Sequence, residues 1–215
     1  MKSCIHAALA ALALALGGTL PLPAAAHTAE EHAQHQKQAA QAGPAKPGTV
    51  RVRFDDAALT DQNGRSLRLK SDVMGQRIVV LDFLYTTCTT VCPVLTAVLT
   101  NVQAGLDAAA RSEVQFVSIT VDPARDTPAR LKEYADKHGA TGNWAWLTGP
   151  TVRVNDVLKG FGAYSANFED HPPLILVGDA STGEWTRFFG FADPKAVLAR
   201  VQELRAARAH AAHKH

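Results

Sequence analysis

The chain has 215 residues, of which 47% are hydrophobic and 20% are charged, a balance typical of one globular domain with a well-filled core and additional terminal segments. Its formal net charge is only +2, and basic residues do not cluster on one predicted face before the last helix and tail. The composition therefore argues against nucleic acid or an anionic membrane surface as a binding partner.

The N-terminus has the layout of a secretory signal peptide. Lys2 precedes an apolar run over 5–16, glycines and prolines interrupt the helix, and three alanines ending at Ala26 offer a small-residue cleavage site. We expect cleavage after Ala26 and a periplasmic mature protein that has lost Cys4. The alternative is an uncleaved anchor in the inner membrane that faces the periplasm, although the apolar run is shorter than the roughly 20 residues that span a bilayer.

The rest of the chain divides into a domain and two flanking segments. Residues 27–48 are rich in Ala, Gln, His, Gly and Pro and are predicted to be flexible. Residues 49–207 are predicted to fold as one domain. Residues 208–215 are predicted to be a disordered, His-rich tail.

Strand and helix signals alternate within the predicted domain. The turn signal Asp61-Gln62-Asn63-Gly64 predicts an N-terminal β-hairpin. Apolar runs and helical periodicity predict the other elements: strands over 50–54, 66–69, 78–84, 114–121, 144–147, 174–177 and 185–189, and helices over 93–110, 127–138, 151–161 and 194–207. This order predicts an α/β domain in which helices flank a mixed central sheet.

Cys88 and Cys92 lie where the strand over 78–84 passes into a helix. The free N–H groups and the positive dipole end at a helix start lower the pKa of a thiol, and thiolates select Cu(I) or Zn(II) over hard cations. A structural zinc site takes four protein ligands, and the mature chain has no third cysteine, which favours copper. The alternative is a structural disulfide, although so short a loop adds little stability.

The segments around these cysteines resemble the Sco/SenC family of copper chaperones. The run from Phe83 to Pro93 is similar to the family's metal loop, and three further segments agree with the family in order and spacing: Leu59–Gly64, Ser118–Tyr134 and Asp170-His171. The resemblance covers about residues 50–205. It implies a thioredoxin-like fold with an N-terminal β-hairpin extension.

The resemblance also implies a ligand set and a partner. Copper would be bound by Cys88, Cys92 and His171, and delivered to the cytochrome c oxidase subunit that carries the Cu(A) site, or to another copper protein. In a thioredoxin-like fold the loop before the final hairpin faces the cysteine loop, and His171 lies in that loop. Glu169 and Asp170 are candidates to orient its imidazole, although a lone loop histidine is otherwise a solvated surface residue.

Two residues keep thiol–disulfide chemistry open. Asp82 lies in an apolar strand six residues before Cys88 and resembles the buried acid of thioredoxins. A buried carboxylate is costly unless it is paired or protonated, so we expect a hydrogen-bond partner or a raised pKa. Pro172 falls where thioredoxins carry a cis-proline. Both residues fit an oxidoreductase that uses Cys88 and Cys92 to reduce the cysteines of a copper acceptor.

The sequence thus favours a copper metallochaperone over a conventional enzyme, with a redox or copper sensor as a further alternative. Its CxxxC spacing argues against a dedicated thioredoxin. Contact with a membrane is expected only through the partner or an uncleaved signal. Terminal histidines are either incidental or an accessory means of copper capture: His27, His32, His35, His210, His213 and His215.

Overall fold

A computed structural model describes residues 48–212 of the chain. The predicted signal peptide, its cleavage site, Cys4 and all terminal histidines except His210 lie outside these residues. Between residues 48 and 212, no helix is long enough and apolar enough to cross a membrane.

Residues 48–212 contain eight strands, which form one mixed sheet in the order β1-β8-β7-β4-β5-β6-β2-β3. The central strands β4, β5 and β6 are parallel, and β7 is antiparallel to β4. The strand bounds are β1 Gly48–Val50, β2 Ala58–Asp61, β3 Ser66–Arg68, β4 Ile78–Leu84, β5 Val114–Thr120, β6 Trp144–Thr148, β7 Leu174–Asp179 and β8 Glu184–Phe189. The predicted α/β class, mixed sheet and N-terminal hairpin are confirmed.

Helices cover both faces of the sheet. They are α1 Val91–Ala104, α2 Ala108–Glu113, α3 Pro128–Lys137, α4 Thr151–Phe161 and α5 Pro194–Ala212, with a π-helical turn at Leu69–Met74 and a 3-10 turn at Phe168–Asp170. One apolar cluster joins α1, α3 and α5 to one face, and the other cluster joins α4 and the π-helical turn to the opposite face.

The strand β4 is buried along its whole length, which explains its continuous apolar sequence. Its side chains alternate between the two clusters, with Val80 and Leu84 in one and Leu81 and Phe83 in the other. Each such buried Val, Leu or Phe contributes about 1.5–3 kcal/mol. The parallel pairing of β4 with β5 and the antiparallel pairing with β7 bring three loops to one edge of the sheet: the cysteine loop, the loop between β5 and α3, and the loop before β7.

Two predicted elements are shorter than expected. The strand predicted over 50–54 ends at Val50, because Arg53 N–H bonds to the Gly160 carbonyl and the Phe54 ring stacks on Phe161 at 4.3 Å. The helix predicted over 93–110 is two helices. The first ends at Ala104, and Asp107 caps the second.

The last helix is longer than expected. The α5 helix continues to Ala212, so the prediction of a disordered tail is wrong for residues 208–212. Arg208 extends the ordered helix because its guanidinium forms two hydrogen bonds with the buried carboxylate of Asp179. Local sequence could not indicate this contact between a helix and a distant strand.

Candidate metal centre

The two cysteines lie together at the start of α1, as predicted. Cys88 is in the loop that follows β4, and Cys92 is in the first turn of the helix. The backbone N–H of Cys92 donates to the Cys88 sulfur at 3.3 Å. Both thiols are free, with exposed fractions of 7% for Cys88 and 1% for Cys92. The structure therefore describes the dithiol form, with Cys88 as the more accessible sulfur.

The surroundings of the two thiols push their pKa values apart. A hydrogen bond from the Cys92 thiol, together with the N–H groups of Cys92 and Thr90 and the Tyr85 hydroxyl, outweighs burial and lowers the pKa of Cys88 to about 4. The same thiol contact and burial raise the pKa of Cys92. At neutral pH the pair thus holds one thiolate, on Cys88, and one protonated thiol.

Tyr85 contacts both halves of the predicted site, which are the cysteine loop and the loop that carries His171. Its hydroxyl donates to Cys88, and burial and the neighbouring thiols raise the pKa of that hydroxyl. Its ring packs edge-to-face against Phe168 at 5.0 Å and His171 at 5.8 Å. Tyr85 is therefore the aromatic contact between the cysteine loop and the loop before β7.

His171 follows the 3-10 turn and is buried. Its Nδ1 lies 2.7 Å from the Phe168 carbonyl, which can only accept a hydrogen bond, so Nδ1 carries the proton. Nε2 is buried and has no hydrogen-bond partner within residues 48–212. A neutral imidazole with a free Nε2 lone pair is the form that binds a metal.

A backbone group orients His171, rather than the acidic side chains suggested by the sequence. The Asp170 carboxylate accepts from the Asn167 amide, and the Glu169 N–H donates to the Asn167 side chain. The orienting carbonyl belongs to Phe168. Sequence analysis missed it because every residue has a carbonyl, and only the 3-10 turn aims this one at the ring.

The structure brings the two cysteines together but does not complete a three-ligand cluster. Residues 48–212 contain no group of three or more His, Cys, Asp or Glu side chains arranged to hold a metal ion. His171 lies at the same sheet edge as the thiols, and its ring packs against the Tyr85 ring. Two soft sulfurs and one free imidazole nitrogen nevertheless fit the donor types that Cu(I) prefers.

Asp82 is wholly buried under this site. Burial raises its pKa to about 7, although the Ser118 hydroxyl donates to it and partly offsets the shift. Its second oxygen has no partner among the described residues, and its charge raises the pKa of Cys92. The expectation of a partner or a raised pKa is confirmed on both counts.

Pro172 does not reproduce the thioredoxin feature expected of it. No peptide bond within residues 48–212 is cis, so the bond between His171 and Pro172 is trans. The buried acid is thus the one thioredoxin-like residue of the two that the structure supports.

Cys88 opens into a groove between the cysteine loop and α3. The groove has a volume of about 400 Å³. His138 lies in its wall, where its ring packs at a tilt against Tyr134, with centroids 4.2 Å apart, and burial lowers its pKa. The residues that line it are Thr86, Thr87, Cys88, Thr89, Pro93, Arg130, Glu133, Tyr134, Lys137 and His138.

Comparison with protein families gives a match over most of the chain. The family model described as SCO1/SenC matches residues 47–205. The SCO1 protein homolog of Bacillus subtilis (strain 168) is 36% identical over 118 residues, which cover 54% of this chain and 60% of that protein. The chain thus spans less than two thirds of this relative.

Solved structures show the same architecture. A SCO1/SenC family lipoprotein from Bacillus anthracis str. Ames has a TM-score of 0.61 at 26% identity, covering 74% of this chain and 98% of that one. Bradyrhizobium japonicum ScoI with copper bound has a TM-score of 0.53 at 27% identity, covering 68% of this chain and 95% of that one. These similarities confirm the predicted thioredoxin-like fold.

Proposed function

The chain belongs to the SCO1/SenC family, and we propose that it is a copper metallochaperone whose ligands are Cys88, Cys92 and His171. The observation that carries the proposal is the buried Nε2 of His171, which has no hydrogen-bond partner among the described residues and lies at the sheet edge where the free thiols lie. An unpaired polar atom in a buried position is costly. A metal bond would satisfy it.

The chemistry of the thiols supports an order of binding. Cys88 is already a thiolate and lies in the groove, so copper meets this sulfur first. Cys92 then loses its proton as it becomes the second ligand, because a thiol must deprotonate to bind a metal. His171 then completes the site through its free Nε2.

Copper leaves by ligand exchange through the groove, where an incoming ligand of the acceptor reaches the Cys88 sulfur. The proposed acceptor is the cytochrome c oxidase subunit that carries the Cu(A) site. One support is that BsSco, a protein of the same fold, is described as a member of a family of cytochrome c oxidase assembly proteins. Copper as the cargo is supported by B. japonicum ScoI, which has been solved with copper bound.

We infer that the acting domain is the one predicted over residues 49–207, extended by the last helix to Ala212, and that it lies in the periplasm after cleavage of residues 1–26. The signal-like N-terminus supports export. The B. anthracis relative is described as a lipoprotein, which is compatible with a protein that acts outside the cytoplasm, next to a membrane-bound acceptor.

The test is His171→Ala in the purified mature protein, with His138→Ala as the matched control. Loss of a direct ligand should reduce Cu(I) affinity by at least the roughly 10–100-fold that indirect changes around metal sites cost, with little change in the reduction potential of the dithiol. His138→Ala should leave copper affinity unchanged. Affinity is measured by competition with a Cu(I) chelator. Unchanged copper binding in His171→Ala would refute the proposal.

A thiol–disulfide oxidoreductase is the second candidate, favoured by the buried Asp82 beneath Cys92. In that reaction the Cys88 thiolate attacks a disulfide of the acceptor, and one acceptor sulfur leaves as a thiolate. Deprotonated Cys92 then attacks Cys88 and releases the second. Two electrons pass to the acceptor, and a disulfide forms between Cys88 and Cys92. A disulfide-reductase assay that requires both cysteines but not His171 would support it.

A further inference from the structure

The loop between β5 and α3 contacts both halves of the proposed copper site. This loop, residues 121–127, follows the strand that is parallel to β4. Val121 N–H bonds to the Leu84 carbonyl at 2.8 Å, which places the loop beside the start of the cysteine loop. Two of its adjacent side chains, Arg125 and Asp126, point to different partners.

Asp126 is 1% exposed and binds the cysteine loop. The Thr86 backbone N–H lies 3.1 and 3.2 Å from its two carboxylate oxygens, and the Thr86 hydroxyl donates to one of them. The Thr120 hydroxyl donates to the other oxygen. The carboxylate therefore holds Thr86 through two separate groups, two residues before Cys88.

These bonds are not explained by a cap for α3. The N-cap of α3 is Thr127, whose side chain accepts from the Arg130 N–H. The donors to Asp126 come instead from β5 and from the cysteine loop. Since Cys88 N–H in turn bonds to the Tyr85 carbonyl at 3.1 Å, a fixed Thr86 leaves little freedom for the Cys88 sulfur at the helix start.

Arg125 binds the histidine half. Its guanidinium carbon lies 5.3 Å from the centre of the Phe168 ring, and Asp122 holds the guanidinium by an ion pair at 2.9 Å. The carbonyl of the same Phe168 orients His171. One loop thus contacts Thr86, in the cysteine loop, through Asp126, and the Phe168 ring, three residues before His171, through Arg125.

We propose that Asp126 and Arg125 are positioning residues that align the two halves of the copper site, Asp126 through Thr86 and Arg125 through Phe168. The inference rests on the proposed function for its copper readout. It also has a readout without copper, because a held Cys88 thiolate stabilises the reduced pair.

The main variant is Asp126→Asn. An amide keeps the size of the side chain but turns one acceptor into a donor, so it can no longer accept from both Thr86 groups and from Thr120. Thr86→Val removes only the hydroxyl donor of the loop. The matched control is Asp61→Asn, which alters a carboxylate that is also 1% exposed and also accepts from backbone N–H groups, but lies in the β2–β3 hairpin.

Three quantities are measured for each variant of the mature protein: the free energy of unfolding in urea, the equilibrium constant of the dithiol with the glutathione couple, and Cu(I) affinity by chelator competition. In Asp126→Asn we expect copper affinity to fall roughly 10–100-fold and the glutathione equilibrium to shift toward the disulfide. Thr86→Val should change copper affinity and the glutathione equilibrium in the same directions, but by less. The Asp61→Asn control should lower the free energy of unfolding while leaving copper affinity and the glutathione equilibrium unchanged.

Arg125→Met should act on the imidazole half only. Copper affinity should fall roughly two- to fivefold, the size expected of a cation–π contact at an exposed site, with no shift in the glutathione equilibrium. In a His171→Ala background Arg125→Met should have no further effect, whereas Asp126→Asn should still weaken binding.

The outcomes separate this inference from the proposed function. If wild-type protein binds no copper, the proposed function fails, and the glutathione equilibrium still tests Asp126. If Asp126→Asn loses stability but keeps both site readouts, or if Asp61→Asn shifts them equally, Asp126 is a structural residue and the inference is wrong.

Discussion

Two buried carboxylates on neighbouring strands, one near each end of the sheet, differ in their hydrogen-bond partners and in their pKa values. At the β7–β8 turn, burial alone would raise the pKa of Asp179, but Arg208 and Ser181 lower it to about 2. Near the other end of β4, Asp82 has one donor, an unpartnered oxygen and a pKa of about 7. One end is fully hydrogen bonded and serves stability. The other retains an unpaired oxygen, a free imidazole nitrogen and a thiolate, which is the cost of a reactive site.

The largest expected effect on stability is that of replacing Asp82. The pKa of Asp82 is raised on folding, so its contribution to stability is full below pH 4 and declines as the pH rises through 7. Asp82→Asn removes this dependence. In urea, the free energy of unfolding of the variant should rise relative to that of the wild type between pH 4 and pH 7, by up to about 4 kcal/mol. The control is Ser118→Ala, which keeps the carboxylate and removes the donor that lowers its pKa, and so should extend the pH dependence to higher pH.

Asp179→Ala should act in the opposite direction. It leaves Arg208 without its partner and should lower the free energy of unfolding at pH 7 by about 2–3 kcal/mol, below the range for fully buried pairs because Arg208 is partly exposed. The depressed pKa of Asp179 means that its stabilisation is present above pH 4 and declines toward pH 2. Copper affinity should not change. An equal loss in the exposed variant Asp136→Ala would contradict this account.

At the end of the sheet that carries the cysteines, Cys92→Ala should make the thiolate form of Cys88 less stable. The Cys92 thiol is the largest cause of the lowered pKa of Cys88, so the variant should raise that pKa. Alkylation of Cys88 by iodoacetamide at pH 5 should slow by about tenfold for each unit by which the raised pKa exceeds 5. Cys92→Ser retains a hydroxyl donor and should slow it less. An alkylation rate at pH 5 that is equal in all three proteins would show that the backbone N–H groups alone lower the pKa of Cys88.

The smallest effect is expected at the turn beyond Asp179. Gly183 has φ of 73°, a conformation that L side chains rarely adopt. Gly183→Ala should therefore cost about 1 kcal/mol of unfolding free energy, without any change in copper affinity or thiol reactivity. Gly183→Asn should cost less, because Asn tolerates this region better. A thermal melt of the three proteins at pH 7 is sufficient to rank them.

Most of the fold could be predicted from local patterns. The buried strand over 78–84 and the helix over 151–161 have the predicted bounds, because continuous apolar runs and helical periodicity depend on residues close in sequence. Two of the errors lie at ends that distant contacts decide. Val50 ends a strand where Phe54 turns to Phe161, and Arg208 prolongs a helix by binding Asp179.

The sequence by itself indicated the reactive pair, since the CxxxC motif lies between a buried strand and a helix start and its chemistry is local. The tertiary structure decided the rest of the site. The free nitrogen of His171 depends on a backbone carbonyl aimed by a 3-10 turn, and the proposed anchor of Cys88 joins Thr86 to Asp126, 40 residues away. Hydrogen bonds over such separations form only when the sheet brings its loops to one edge, because no local periodicity encodes them.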